Sequence, residues 1–250
     1  MVQVRVADVV AILAALSPFG APSVPVLEKT TEKGLDYAIY LPPNFNPTQS
    51  YNLLVHLHGA ASPYFFMLRE LRLTGELLEQ HSVDNLIVLA PHDATKWSLW
   101  VDGDTIDMAT QVFDELIPQI KREYNIQKQF LQGFSMGGFG AAVHGHRFDS
   151  TVVWDGALHD WESLENINLP YIQHQFVRTN FTVHPYTGTP PAKSLLIGGS
   201  FPSTKARSEQ WNQYMQSQPA VEHEFIPTTL PHTYRSFALE HFDKAVALWN

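Results

Sequence analysis

A serine lies between two closely spaced glycines in the segment Gly133-Phe134-Ser135-Met136-Gly137. An apolar run, Lys128 to Gln132, precedes this segment, and small residues follow it as far as Val143. The G-x-S-x-G spacing between a strand and a helix is typical of a nucleophile elbow, a strained turn that holds the serine hydroxyl clear of the sheet. Glycine at both flanking positions leaves room for the helix to pack close behind the turn. The sequence therefore predicts that Ser135 is a nucleophile that forms an acyl-enzyme.

A serine nucleophile needs a base, and the chain contains 12 histidines. Where a nucleophile elbow is used, the serine comes first in the chain, the acid next and the histidine last. His232 follows the last predicted strand and precedes a C-terminal helix, so a loop at a strand end can bring its imidazole to Ser135. His223 and His241 are poorer candidates, because they lie within a predicted strand and a predicted helix. We therefore expect His232 to be the general base.

The developing alkoxide needs two backbone N–H donors. One predicted donor is Met136, the residue after the serine. The other is expected from the small-residue loop His58-Gly59-Ala60-Ala61, with Ala60 as the first choice and Gly59 as the second. His56 and His58 face the same side of a predicted strand, which also permits a metal site. No third ligand is spaced nearby in the sequence, so we expect no metal.

Apolar runs alternate with helical stretches along most of the chain. An early antiparallel strand is predicted at Leu35 to Leu41. Buried strands are predicted at Asn52 to Leu57, Asn85 to Ala90, Lys128 to Gln132, Thr151 to Trp154, Ser194 to Ile197 and Val221 to Ile226. Apolar residues at helical spacing from Ile106 to Ile120 predict an amphipathic helix. The alternation predicts an α/β fold with a mostly parallel central sheet and helices on both faces, and a ligand site beyond the carboxyl ends of the strands.

The chain has 250 residues, of which 44% are hydrophobic and 16% are charged, as in an ordinary globular protein. We expect residues 25–250 to form one domain. Residues 1–24 are expected to be an N-terminal arm or a weak signal peptide, because a short apolar run is followed by small residues. The segment at about 157–192 is predicted to be an insertion that helps to shape the substrate pocket, or else a surface excursion. This N-terminus and the sequon at Asn180 slightly favour secretion over a cytoplasmic location.

The formal net charge is −9 and no run of Lys or Arg is present. Nucleic acids and anionic membrane surfaces require clustered positive charge, so neither is an expected partner. The N-terminal apolar run is too short to span a bilayer. The cysteine count is 0, which excludes disulfides, thiolate metal sites and a cysteine nucleophile. The oligomeric state is left open.

Three segments carry a resemblance to one family: Leu57-His58-Gly59, then Glu115-Leu116-Ile117-Pro118 leading to Tyr124-Asn125-Ile126, and Gly133-Phe134-Ser135-Met136-Gly137-Gly138. Together they resemble the esterase D/feruloyl esterase group of α/β-hydrolases. The similarity runs from about Tyr37 to the C-terminus and is strongest between Leu53 and Val143. The resemblance implies an α/β-hydrolase fold that hydrolyses carboxylic esters or thioesters through an acyl-serine intermediate, without a metal or organic cofactor. It implies a small-molecule or polysaccharide-linked ester as substrate.

The chain departs from this family at the acid. Members usually carry an aspartate shortly after the penultimate strand, whereas here no carboxylate follows Gly199 before Glu209. We expect Asp155 to replace it, because the end of the neighbouring strand can also reach the imidazole; Asp160 and Glu209 are alternatives. If no acid is present, the chain could instead be a non-catalytic binding protein of the same fold. Some relatives are acyltransferases, which would use the same acyl-enzyme with an alcohol in place of water.

Aromatic residues cluster near the predicted strand ends. They are Tyr64, Phe65, Phe66, Trp97 and Trp100. Such side chains belong either to the core or to an apolar acyl pocket. For substrate binding we expect Tyr64, Trp97 and Trp100.

Overall fold

The computed structural model describes residues 24–103, 107–158, 190–200 and 202–249. The predicted N-terminal arm lies outside them, apart from residue 24. So do residues 159–189, which include most of the predicted insertion, its sequon and the alternative acid Asp160.

One eight-stranded sheet organises the described residues. Its strands are β1 (Val26–Thr30), β2 (Asp36–Tyr40), β3 (Tyr51–Leu57), β4 (Leu86–Pro91), β5 (Ile126–Phe134), β6 (Ser150–Trp154), β7 (Lys193–Gly198) and β8 (Glu222–Pro227). They lie in the order β1-β2-β4-β3-β5-β6-β7-β8. β2 pairs antiparallel with β1 and β4, and the other five pairings are parallel. The predicted mostly parallel sheet is confirmed.

Helices cover both faces of the sheet. They are α1 (Tyr64–Gln80), α2 (Ile117–Glu123), α3 (Met136–His144), α4 (Pro202–Gln216) and α5 (Tyr234–Trp249). One core cluster joins α1 and α5 to one face, through residues such as Met67 and Phe237. A second cluster joins α3 and α4 to the opposite face, through residues such as Phe139 and Trp211. This arrangement confirms the predicted α/β fold, because each sheet face buries its apolar side chains under helices.

The helix predicted at Ile106 to Ile120 has a different geometry from the one expected. Residues Thr110–Leu116 form a π-helix that continues directly into α2, and a short 3-10 helix at Gly145–Arg147 follows α3. Pro118 lies at the start of α2. Proline has no N–H, and its ring crowds the carbonyl four residues earlier, so regular α-helical bonding cannot run through this position. The wider π turns before Pro118 accommodate that break.

The parallel strands place five loops along one edge of the sheet. β5, β6, β7 and β8 are consecutive neighbours, and β3 pairs with the other side of β5. Their carboxyl ends are therefore adjacent. Ser135 follows β5, Asp155 follows β6, and His232 lies in the loop after β8.

Candidate active site

Ser135 occupies a strained turn between β5 and α3. Its backbone has φ 54° and ψ −114°, and it is the residue immediately before α3. A Cβ added to Gly133 would lie 1.9 Å from the carbonyl oxygen of Gly137, and one added to Gly137 would lie 1.9 Å from the oxygen of Leu57. Only glycine fits at either position, because no real Cβ approaches another heavy atom so closely. The turn has the predicted form of a nucleophile elbow.

His232 lies beside the serine hydroxyl. Its Nε2 is 3.0 Å from Ser135 Oγ, and a quarter of its side chain is exposed. The following residue, Thr233, begins α5 by accepting the backbone N–H of Ser236 at 3.2 Å. Tyr234, the next residue, is 2% exposed and anchors the helix in the core. The loop is thus tied down directly after the imidazole.

Asp155 is fully buried at the end of β6 and faces the other side of the same imidazole. Its Oδ2 lies 2.5 Å from His232 Nδ1. Its Oδ1 accepts the Gly199 N–H at 2.9 Å, and the Ser200 hydroxyl donates to Oδ2. Burial raises the pKa of Asp155, but the hydrogen bonds from His232, Ser200 and Gly199 outweigh burial and hold that pKa below its usual value. Of the alternatives, Glu209 is exposed on α4.

The hydrogen bond from Ser200 to Asp155 was not predicted from the sequence. Ser200 follows β7, where the resembled family usually carries its aspartate. Here the carboxylate comes from the end of β6, and the residues after β7 supply donors to it instead. Asp155 and Ser200 are far apart in the sequence, and they meet because β6 pairs with β7. Residue spacing in the sequence therefore does not indicate this contact.

The loop after β3 approaches the elbow. A Cβ added to Gly59 would lie 3.3 Å from Ser135 Cβ. His58 Nε2 accepts the backbone N–H of Asp93 at 2.9 Å, so the ring carries its proton on Nδ1, which donates to the Gly59 oxygen at 2.7 Å. Burial lowers the pKa of His58. The Gly59 carbonyl and the Ala60 N–H belong to one trans peptide group and point in opposite directions. Since the carbonyl faces the His58 ring, the Ala60 N–H points away from it.

Comparison with known proteins adds to this geometry. Residues 29–149 match the model of a family described as "Putative esterase". The fold is that of an α/β-hydrolase. Among curated proteins, no sequence matches this chain. The family match supports ester hydrolysis as the general activity.

Several solved structures share the fold of this chain. FphF, a fluorophosphonate-binding serine hydrolase of Staphylococcus aureus, is 16% identical with a TM-score of 0.69, over 91% of this chain and 98% of that one. A ferulic acid esterase is 15% identical with a TM-score of 0.68, over 90% of this chain and 97% of that one. S-formylglutathione hydrolase (FrmB) from Staphylococcus aureus is 16% identical with a TM-score of 0.64, over 91% and 99%. At these identities the similarity establishes the fold.

The predicted substrate-binding aromatics are placed differently from one another. Trp100 is fully buried, and its indole N–H donates to the His58 carbonyl at 3.2 Å. It therefore supports the loop after β3 from below, and the prediction that it contacts substrate is wrong for this structure. The Tyr64 hydroxyl is close to Glu28 on β1, and burial together with this carboxylate raises the pKa of Tyr64. Its predicted contact with substrate stays a prediction. Trp97 is partly exposed, and its predicted contact stays a prediction.

Gln132 is the centre of a buried polar network beneath the candidate active site. Its Oε1 accepts the indole N–H of Trp154 at 3.0 Å, which fixes the orientation of the amide because an indole only donates. Its Nε2 then donates to His56 Nδ1 at 3.0 Å and to the Tyr234 hydroxyl at 3.2 Å. All four side chains are buried.

Glu70 and Thr74 on α1 provide the remaining hydrogen-bond acceptors of this network. His56 carries its proton on Nε2, which lies 2.9 Å from the Glu70 carboxylate. Thr74 donates to the Glu70 carbonyl at 2.9 Å, so its oxygen accepts the Tyr234 hydroxyl at 2.7 Å. Each donor thereby has an acceptor, and the network ties α1 and α5 to the central strands. This network was not predicted from the sequence, in which His56 was considered only as a metal ligand together with His58.

Two features are absent from the described residues. No three His, Asp or Glu side chains there are grouped as ligands of a metal ion would be. No helix within the described ranges has the length and apolar character needed to cross a membrane.

Proposed function

We propose that the chain is a serine esterase that hydrolyses carboxylic esters through an acyl-serine intermediate. The observation that carries this proposal is the continuous set of contacts from Ser135 Oγ to His232 at 3.0 Å and from His232 to Asp155 at 2.5 Å. A hydroxyl, an imidazole and a buried carboxylate in this order can activate the serine as a nucleophile. The family match over residues 29–149 supports the same chemistry.

In the first half-reaction, Ser135 Oγ attacks the ester carbonyl carbon and His232 Nε2 takes the hydroxyl proton. The Nδ1–H of His232 donates to Asp155, whose lowered pKa keeps it ionised and able to stabilise the imidazolium. The bond from the carbonyl carbon to the alcohol oxygen then breaks. His232 gives its proton to that oxygen, so the alcohol leaves and the acyl group stays on Ser135.

In the second half-reaction, water replaces the alcohol. His232 takes one water proton as the water oxygen attacks the acyl carbon, and returns it to Ser135 Oγ when the acyl–serine bond breaks. The products are the carboxylic acid and free enzyme. Transfer to an added alcohol would follow the same steps, with the alcohol attacking in place of water.

The oxyanion would be bound by the backbone N–H groups of Met136 and Ala60. Met136 is the first residue of α3, where N–H groups have no partner within the helix. The contact of Gly59 with Ser135 supports Ala60 as the second donor, as does the peptide direction imposed by His58. Loss of one such donor typically lowers kcat by about 10²–10³.

The proposal is tested with p-nitrophenyl acetate and butyrate on the unaltered protein and Ser135→Ala. We expect turnover by the unaltered protein and a loss of about 10⁶ in kcat for the variant. Ser82→Ala is a matched control, because Ser82 is also a non-glycine residue with positive φ, 56°, but is exposed in the turn between α1 and β4. Equal turnover by Ser135→Ala would contradict the proposal. Absence of turnover by the folded, unaltered protein would favour a non-catalytic binding role.

The acyl group and the acceptor need a second experiment. Acetyl, butyryl, feruloyl and thioester substrates compared by kcat/KM would define the preferred acyl chain. An acyl product that grows with added alcohol at the expense of free acid would indicate acyl transfer.

A further inference from the structure

A cleft of about 700 Å³ lies between α1 and the start of α5. Its lining includes His232, the proposed base, and Phe134, the residue before the proposed nucleophile. Phe66, Arg69 and Leu73 line it from α1, and Arg235 lines it from α5. The cleft thus adjoins the candidate active site at the imidazole.

The charge of this cleft differs from that of the whole chain. The chain has 16 basic and 25 acidic residues, yet three arginines, Arg69, Arg72 and Arg235, line this single cleft. Two carboxylates, Glu70 and Glu76, also line it. Glu70 is bonded to His56, which uses part of its accepting capacity.

The arginines retain donors for a ligand. Among the residues that the structure describes, no carboxylate forms an ion pair with Arg69 or Arg235, and both are exposed. The Arg72 Nε is buried, so the donors open to a ligand include those of the exposed Arg69 and Arg235. Guanidinium N–H groups form strong hydrogen bonds to an anionic ligand atom.

Aromatic rings at the same rim hold one of these arginines. The Arg69 guanidinium carbon lies 5.5 Å from the centre of the Phe65 ring and 5.6 Å from that of Phe66. Phe65 is 51% and Phe66 44% exposed, which is unusual for large apolar side chains in this structure. Stacking limits the motion of the guanidinium while its N–H edge stays available to an anion. An exposed aromatic patch beside a reactive histidine is typical of a binding surface.

The chemistry decides which part of the ester lies there. His232 must return its proton to the leaving oxygen, so that oxygen lies within hydrogen-bond reach of Nε2. The alcohol portion of the ester begins at this oxygen and extends from the imidazole. The cleft that contains His232 is therefore placed to receive the alcohol portion.

We propose that this cleft binds the alcohol portion of the substrate, and that this portion carries an apolar or aromatic group and an anion such as a carboxylate. The inference rests on the proposed function. The apolar group contacts Phe66 and Phe134, and the anion binds to Arg69 and Arg235.

The test compares two acetyl esters, 4-acetoxybenzoate and its neutral amide 4-acetoxybenzamide. Each rate is divided by that of hydroxide hydrolysis, to remove the difference in leaving-group reactivity. We expect a higher kcat/KM for the anionic ester. In the double variant Arg69→Gln/Arg235→Gln, the ratio of anionic to neutral kcat/KM falls about five- to tenfold, as expected for two partly exposed ion pairs.

The double variant Lys121→Gln/Arg122→Gln is the matched control. Both residues are exposed on α2, and Arg122 lines a different cavity, so this variant removes the same number of positive charges, two, away from His232. We expect it to leave the ratio unchanged. An equal fall in this control would assign the effect to the overall charge and overturn the inference.

The two proposals fail in different ways. If neither ester is hydrolysed, the proposed function fails. If both are hydrolysed with a ratio near 1 that the double variant does not change, the function stands and the inference is overturned. A charge preference seen only when the anion is on the acyl side, with phenyl hemisuccinate against phenyl butyrate, would also overturn it. Binding can also be measured without turnover, by calorimetry of 4-hydroxybenzoate with Ser135→Ala. We expect weaker binding when Arg69→Gln and Arg235→Gln are added to this variant.

Discussion

Ser135 and Asp155 both have positive φ, at 54° and 42°. Neither is glycine, and such backbone conformations cost about 1–3 kcal/mol each. Backbone hydrogen bonds hold both in place: the Ser135 N–H donates to the Trp154 oxygen at 3.0 Å, and the Asp155 N–H donates to the Ile197 oxygen at 2.6 Å. The strain is therefore maintained by the pairing of β5, β6 and β7, and it aims both side chains at His232.

Asp155→Asn tests the role of the carboxylate. The Asn oxygen would remain with the Gly199 N–H, which donates to Oδ1, so the amide NH₂ would face His232 Nδ1. His232 would then carry its proton on Nε2 and could not accept one from Ser135. We expect kcat for p-nitrophenyl acetate to fall by up to about 10⁴, by analogy with other triads.

Asp102→Asn is the control for this substitution. Asp102 also accepts a backbone N–H and a hydroxyl, both from Thr110, but it lies away from the elbow. We expect it to keep near-normal kcat. If Asp155→Asn also kept near-normal kcat while thermal unfolding showed a folded protein, the acid role would lie elsewhere.

A residue's role could be predicted where the residues that indicate it are close together in the sequence. Ser135 was predictable because its glycines are adjacent in sequence, and His232 because chain order and strand ends restrict the choice. Trp100 was predicted to contact substrate but is buried, because the sequence pattern near a strand end is the same for an aromatic residue that faces a pocket and one that faces the core. Ser200 and Gln132 act through contacts between separate strands, which one sequence does not reveal.

At the scale of elements, the elbow depends on close packing of α3 against β3. A methyl group at Gly137 would collide with the Leu57 carbonyl at 1.9 Å, and a backbone atom cannot rotate away as a side chain can. We expect Gly137→Ala to lower the free energy of unfolding by about 3 kcal/mol or more. Denaturant unfolding measures this loss.

Gly34→Ala serves as the comparison for that loss. Gly34 has φ 87° and no atom within 4 Å of an added Cβ, so only conformational strain is introduced. We expect a cost of about 1 kcal/mol. Equal losses for the two variants would show that close packing at Gly137 is not the cause.

The buried network joins α1 to the start of α5, two residues after His232. Tyr234→Phe removes the hydroxyl that accepts from Gln132 and donates to Thr74. Two buried polar groups would lose a partner, so we expect the free energy of unfolding to fall by about 1–3 kcal/mol. We also expect kcat to fall more than KM changes, because the anchor of the His232 loop is weakened.

A double-mutant cycle with Thr74→Val measures the coupling within this network. Removing the second partner after the first should cost less than removing it from the intact protein. Strictly additive losses in unfolding free energy would contradict a hydrogen bond between Tyr234 and Thr74.

At the scale of the molecule, the fold followed from the alternation of apolar strands and helices. Seven of the eight strands overlap runs predicted from the sequence. β1 (Val26–Thr30) was missed, because an edge strand exposes polar residues and lacks a continuous apolar run. The π-helix at Thr110–Leu116 was missed for a related reason: its apolar residues follow a helical pattern, and only the bonding around Pro118 differs.

The central claim is that Ser135 is an activated nucleophile. The most direct measurement is labelling of the folded protein with a fluorophosphonate probe, followed by intact mass and peptide mapping. We expect one adduct per chain, located on Ser135, and none in Ser135→Ala. A folded protein that takes up no probe, or an adduct that maps to a different residue and persists in Ser135→Ala, would contradict the account.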